Sequence, residues 1–134
     1  MSEQLETAKQ TLETGEYTCA IMGEETSFVS QERGIKPIMD WLRADAVGNV
    51  CADRVIGKAA AMLLIYGGIT ELFAEVISEH ALEFLNTCDI TVEYRKKTKH
   101  IINRKGDGMC PMEEKALLLN SPTDAFTLFS NIVK

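Results

Sequence analysis

The segment from Asp53 to Tyr66 constrains the fold most. It reads Asp-Arg-Val-Ile-Gly-Lys-Ala-Ala-Ala-Met-Leu-Leu-Ile-Tyr, and Lys58 is the only charge in its long apolar run. A helix that is apolar almost all round belongs in the middle of a molecule, covered on most sides. Asp53 reads as its N-cap, because a carboxylate oxygen there accepts from the free N–H groups of the first turn. Gly67-Gly68 ends it.

Around this helix the element types alternate. Residues 2–14 are polar with spaced apolar positions at Leu5, Ala8 and Leu12, which predicts a short first helix stopped by Gly15. Tyr17 to Met22 and Thr26 to Ser30, joined by Gly23-Glu24-Glu25, predict a hairpin. Gly34 and Pro37 introduce a helix carrying Ile38, Trp41 and Leu42, and Ala44 to Ala52 reads as a connecting loop. Leu72 to Ile77 predicts a buried strand, Glu79 to Thr87 a helix capped by Ser78, and Ile90 to Tyr94 a further strand. Pro111 opens a helix and Pro122 to Val133 closes the chain as an amphipathic one. A hairpin followed by helix, strand, helix, strand predicts an α/β fold, a three-layer α/β/α sandwich around a mixed sheet. At 134 residues, with 46% hydrophobic and 25% charged residues, the chain reads as one domain over residues 1–134 with room for a proper core. Residues 115–134 form its C-terminal helical segment.

Ligands of such sheets sit at the carboxyl ends of the strands. The loop before Asp53, Ser78 and the loop before Pro111 all fall at that edge, so three helix N-termini are expected to converge there. Their free N–H groups suit an anion. The loop Asn103-Arg104-Lys105-Gly106-Asp107-Gly108-Met109-Cys110 delivers a sulfur beside one of these N-termini, where the dipole favours a thiolate.

Two patterns also carry a resemblance: Ala52-Asp53-Arg54-Val55-Ile56-Gly57-Lys58-Ala59-Ala60-Ala61, and Ile102-Asn103-Arg104 with Cys110-Pro111-Met112-Glu113. With Val76-Ile77-Ser78-Glu79 between them, they resemble domain-of-unknown-function family 1893 over roughly residues 17–114. That resemblance implies a cytidine-deaminase-like fold, and it brings no established activity. Zinc deaminases carry His/Cys-Ala-Glu at one helix start and Pro-Cys-x-x-Cys at the next. This chain has Cys51-Ala52-Asp53 and Ile77-Ser78-Glu79-His80 instead. The expectation is therefore no metal and no cofactor.

Each candidate residue has two readings. Cys110 is either a small residue filling space before a helix or a reactive thiol, with Arg104 and Lys105 nearby. Asp53 is a plain helix cap or an acid. Lys58 reaches solvent, pairs with Asp53 or Glu79, or binds a ligand anion. Glu113 complements the helix dipole or accepts the Cys110 proton. Arg95 to His100 is a solvated edge or a phosphate-attracting rim, with Asn103 and Arg104 nearest a ligand. Gly57-Lys58 fails as a phosphate-binding loop, since Gly48 stands nine residues before Gly57 and Ala59 replaces the Ser/Thr.

Two function classes stay open. One is an enzyme acting on a nucleotide-like or phosphorylated small molecule: Cys110, Asp53, Lys58 and Glu113 do the chemistry, and Ser78, Glu79, Asn103 and Arg104 bind the ligand. The other is a non-catalytic ligand-binding or redox-sensing domain using the same cleft. A net charge of −6 argues against nucleic acid as partner. No apolar run reaches the roughly 20 residues of a membrane span. The acidic start of the chain does not read as a signal peptide. Four scattered cysteines read as reduced thiols in a cytoplasmic protein. Analogy with deaminase-like folds suggests a homo-oligomer.

Overall fold

The computed structural model describes residues 2–32, 34–44, 48–102 and 105–133. Helix α1 (Glu3–Thr14) is followed by the hairpin β1 (Cys19–Met22) and β2 (Ser27–Ser30), then helix α2 (Lys36–Arg43). Next come β3 (Val50–Ile56), α3 (Lys58–Tyr66), β4 (Glu71–Ser78), α4 (Glu79–Leu85) and β5 (Thr91–Thr98). Two further helices, α5 (Pro111–Ala116) and α6 (Pro122–Ile132), complete the order.

The five strands form one mixed sheet in the order β2-β1-β3-β4-β5. Strand β1 is antiparallel to both β2 and β3, whereas β3, β4 and β5 run parallel. Parallel neighbours need a crossover between them, and α3 and α4 supply the two crossovers here. The chain is thus an α/β fold built on a mixed sheet.

Side chains alternate across the strands and sort into two apolar clusters. Leu5, Ala8 and Leu12 of α1 pack with Ala20, Val50, Ala52 and Phe73 on one face. Cys19, Ile21, Cys51, Leu72, Ala74 and Ile77 point the other way, into a larger cluster with α2, α3, α4 and α6. Ala59 to Leu64 of α3 are all buried there, as the apolar run requires.

The start of that helix differs from the sequence expectation. Asp53 is not an N-cap. It lies inside β3, paired with Cys19 on one side and Ala74 on the other. The segment Val50 to Ile56 is extended, and Gly57 caps the helix with no side chain of its own. The apolar Val50-Cys51-Ala52 run, read as loop, is the start of a central strand buried on both faces. Such strands carry no polar alternation to announce them. Strand β5 also runs further than expected, through Arg95, Lys96 and Lys97 along the sheet edge, where charge discourages pairing with another chain.

Candidate functional site

The site forms where β3 and β4 end. Ser78 closes β4 and caps α4: its Oγ accepts the Ala81 N–H at 3.1 Å. The N-terminus of α3 lies beside it, with Gly57 unable to cap. The missing acceptor comes from far along the chain. Glu113, in the first turn of α5, turns inward and is 1% exposed. Its Oε1 accepts the Lys58 N–H at 3.1 Å and the Ser78 hydroxyl, and its Oε2 accepts the Ile101 N–H. One carboxylate therefore ties the starts of α3 and α4 to the segment after β5.

Of the three helix starts expected to meet at this edge, α3 brings its Lys58 N–H, α4 the Ser78 hydroxyl and α5 the Glu113 carboxylate, so the anion found there belongs to the protein. A Cβ on Gly57 would stand 3.2 Å from the Glu113 Oε1 and 3.0 Å from Ile101 Cγ1. Glycine thus lets the carboxylate approach the backbone that closely. Backbone N–H and hydroxyl donors aimed at an ionised oxygen make charge-assisted bonds, stronger than neutral ones.

The neighbouring candidates are arranged around this knot. Cys110 is half-buried at the start of the six-residue α5. Its N–H donates to the Ile101 carbonyl at 2.7 Å and its carbonyl accepts the Glu114 N–H at 3.0 Å, while its side chain caps nothing. Its backbone thereby positions Glu113. Lys58 sends its Nζ to the Leu119 carbonyl at 3.2 Å rather than to Asp53 or Glu79. Glu79 is exposed in the first turn of α4. Asn103 and Arg104 lie outside the described residues. Two surface grooves lie at the opposite end of the strands, one lined by Glu3, Gln4, Thr7, Met22, Gly23 and Glu24, the other by Glu24, Glu25, Thr26 and Asn49.

Asp53 belongs to a different polar group. It shares a sheet face with Cys51, two residues earlier on β3, and with Cys19, its partner on β1. The ligating atoms of the three lie within 4.8 Å of one another, and all three residues are buried. Burial pushes the Asp53 carboxyl up to about 7, against hydrogen bonds from the Val55 backbone and the Cys19 thiol that pull it down. The Cys19 thiol is pushed well above its ordinary value, first by its hydrogen bond with Cys51 and then by burial. Cys51 is also raised: the hydrogen bond with Cys19 lowers it, but burial and the Asp53 charge together prevail. Cys19 had no local signal beyond an apolar setting, and only the β1–β3 register brings it to Asp53.

A deaminase-type zinc does not fit at the helix starts. Gly57, Lys58, Ser78, Glu79 and His80 stand at the starts of α3 and α4, with one imidazole and no thiol. Cys110 at the start of α5 adds one sulfur, short of the three ligands such a zinc needs, and Glu113 takes the convergent donors.

Comparison with known proteins agrees with this architecture. The sequence profile described as domain of unknown function (DUF1893) matches residues 7–133. The chain belongs to the DUF1893 family. Its structure is similar to that of a DUF1893 family protein from Thermotoga maritima, with a TM-score of 0.89 at 25% sequence identity. That match covers 98% of this chain and 90% of the other. No curated protein matches. DUF1893 membership thus extends the resemblance seen over residues 17–114 to nearly the whole chain, and the family carries no assigned activity. Among the described residues no helix is long and apolar enough to cross a membrane.

Proposed function

We propose that this DUF1893 protein is a non-catalytic binding domain. Its ligand is a small anion, nucleotide-like or phosphorylated, and its site is the cradle at the ends of β3 and β4. Glu113 occupies that cradle as an internal stand-in, and the ligand enters by displacing it together with the short helix α5. The observation that carries this reading is the donor set on one carboxylate: the Lys58 N–H, the Ser78 hydroxyl and the Ile101 N–H. These are the groups that would hold phosphate oxygens.

The catalytic reading of Cys110 has less support. Its side chain makes no cap hydrogen bond at the start of α5, and a nucleophile needs a base or another activating group within reach. The three-layer, cytidine-deaminase-like arrangement is the fold we favour, supported by the mixed strand order and by α1 packing opposite α3, α4 and α6. Free thiols at Cys19, Cys51, Cys88 and Cys110 fit a cytoplasmic setting.

Calorimetric titration of the full chain with inorganic phosphate and with adenosine monophosphate tests the proposal. Glu113→Ala, assayed at a temperature where circular dichroism shows it folded, empties the cradle and is expected to bind one of these probes at least tenfold more tightly than the unaltered chain. If neither protein binds either probe, Glu113 is a structural tie alone and the binding function falls.

A further inference from the structure

The polar cluster inside the sheet takes no part in the Glu113 knot, and nothing in the proposed function uses it. Cys19, Cys51 and Asp53 present two sulfurs and a carboxylate on one face of two hydrogen-bonded strands. Cys19 and Cys51 are 0% exposed and Asp53 is 6% exposed. A buried carboxyl among thiols is costly unless a positive charge or strong donors meet it. Its nearest basic neighbour in the chain, Arg54, eases that cost only through its charge and its backbone N–H, while its side-chain bonds go elsewhere. Arg54 sends its guanidinium to Glu75 at 2.6 Å, to the Leu12 carbonyl at 2.6 Å and to the Tyr17 carbonyl at 3.0 Å. Leu12 belongs to α1, so this cation is spent on the opposite face of the sheet.

We propose that Cys19, Cys51 and Asp53 are ligands of a structural zinc ion. The donor chemistry selects the metal. Calcium and magnesium take oxygen ligands in larger numbers, and copper(I) prefers purely soft donors, whereas two thiolates and a carboxylate suit zinc. The spacing fits as well. Zn–S bonds of about 2.3 Å and Zn–O bonds of about 2.1 Å place donors roughly 3.5–4 Å apart around one ion. The three ligating atoms, within 4.8 Å of one another, already stand close to that spacing. Two paired strands hold the three residues, so little order is lost on binding.

The ion takes the place of the thiol protons, so two thiolates and a carboxylate balance its charge to a net −1. A fourth position is left to a water molecule trapped with the ion as the chain folds. This site lies in mid-strand, away from the helix starts that hold zinc in deaminases. Because the donors are sealed from solvent, the ion enters as the chain folds.

The test is to unfold the full chain in a chelator, refold it with zinc, remove loose metal and measure the content by mass spectrometry. One zinc per chain is expected, with a raised melting temperature. Cys51→Ser and Cys19→Ser should lose the metal, and Cys88→Ser and Cys110→Ser should keep it. Refolding the unaltered chain with cobalt(II) should give intense near-ultraviolet thiolate-to-cobalt absorption, a readout that survives if a cysteine variant does not fold. A refolded chain without zinc, zinc retained by Cys51→Ser, or bound cobalt without thiolate absorption would each overturn the site.

Discussion

Two buried carboxylates sit in this molecule under opposite conditions. Glu113 is met by three donors aimed at its oxygens: the Ser78 hydroxyl, the N–H that opens α3 and the Ile101 N–H in the segment after β5. Asp53 is met by thiols and by backbone N–H groups on its own strand, and burial drives it toward its neutral form. Both carboxylates are cut off from water, and what differs is the number and kind of donors the fold delivers to each.

The largest effect expected from this contrast follows removal of the satisfied carboxylate. Glu113→Ala leaves the Ser78 hydroxyl and two N–H groups without their acceptor, and it should lower the unfolding free energy by about 5 kcal/mol. Urea denaturation followed by circular dichroism measures it, and a loss below about 1 kcal/mol would put Glu113 outside the fold's framework.

The next effect is a pH dependence. The folded Asp53 value of about 7 lies above the ordinary 3.8. The metal-free folded protein thus keeps a proton that the unfolded chain gives up. Stability from this group is fully present below about pH 4, falls as the pH rises toward 7 and is level above that. The total is up to about 4 kcal/mol. Asp53→Asn should flatten the curve of stability against pH between 4 and 7, and an unchanged curve would mean that Asp53 ionises freely.

Ser78→Ala comes third. It loses both the α4 cap and one donor to Glu113, for about 2 kcal/mol by chemical denaturation. Cys110→Ser should be the mildest, within about 0.5 kcal/mol, because the Cys110 side chain caps nothing and serine is a good cap residue. A large loss there would show that the thiol itself holds α5 in place.

The same contrast explains what the sequence could reveal. Ser78 as a cap was legible, because a serine stands between an apolar strand and the helix that follows it. The meeting of helix starts was legible too, since alternating strands and helices put them at one end of the sheet. The inward turn of Glu113 was not, because acids in a first helical turn complement the dipole whether they face water or core. Asp53 was misplaced because a carboxylate before an apolar helix looks like a cap, and nothing local says that Gly57 takes that role. The Asp53–Cys19 pairing depends on strand register, where a slip of one residue would send Cys19 to the α1 face.

The most direct test of the central claim, that Glu113 is the anion on which the helix starts converge, is a double-mutant cycle between Glu113→Ala and Ser78→Ala. The two changes share one hydrogen bond, so Ser78→Ala should cost at least about 1 kcal/mol less in the Glu113→Ala background than in the unaltered chain. Simple additivity of the two losses would show that the carboxylate and the hydroxyl act independently, and the account of this site would fail.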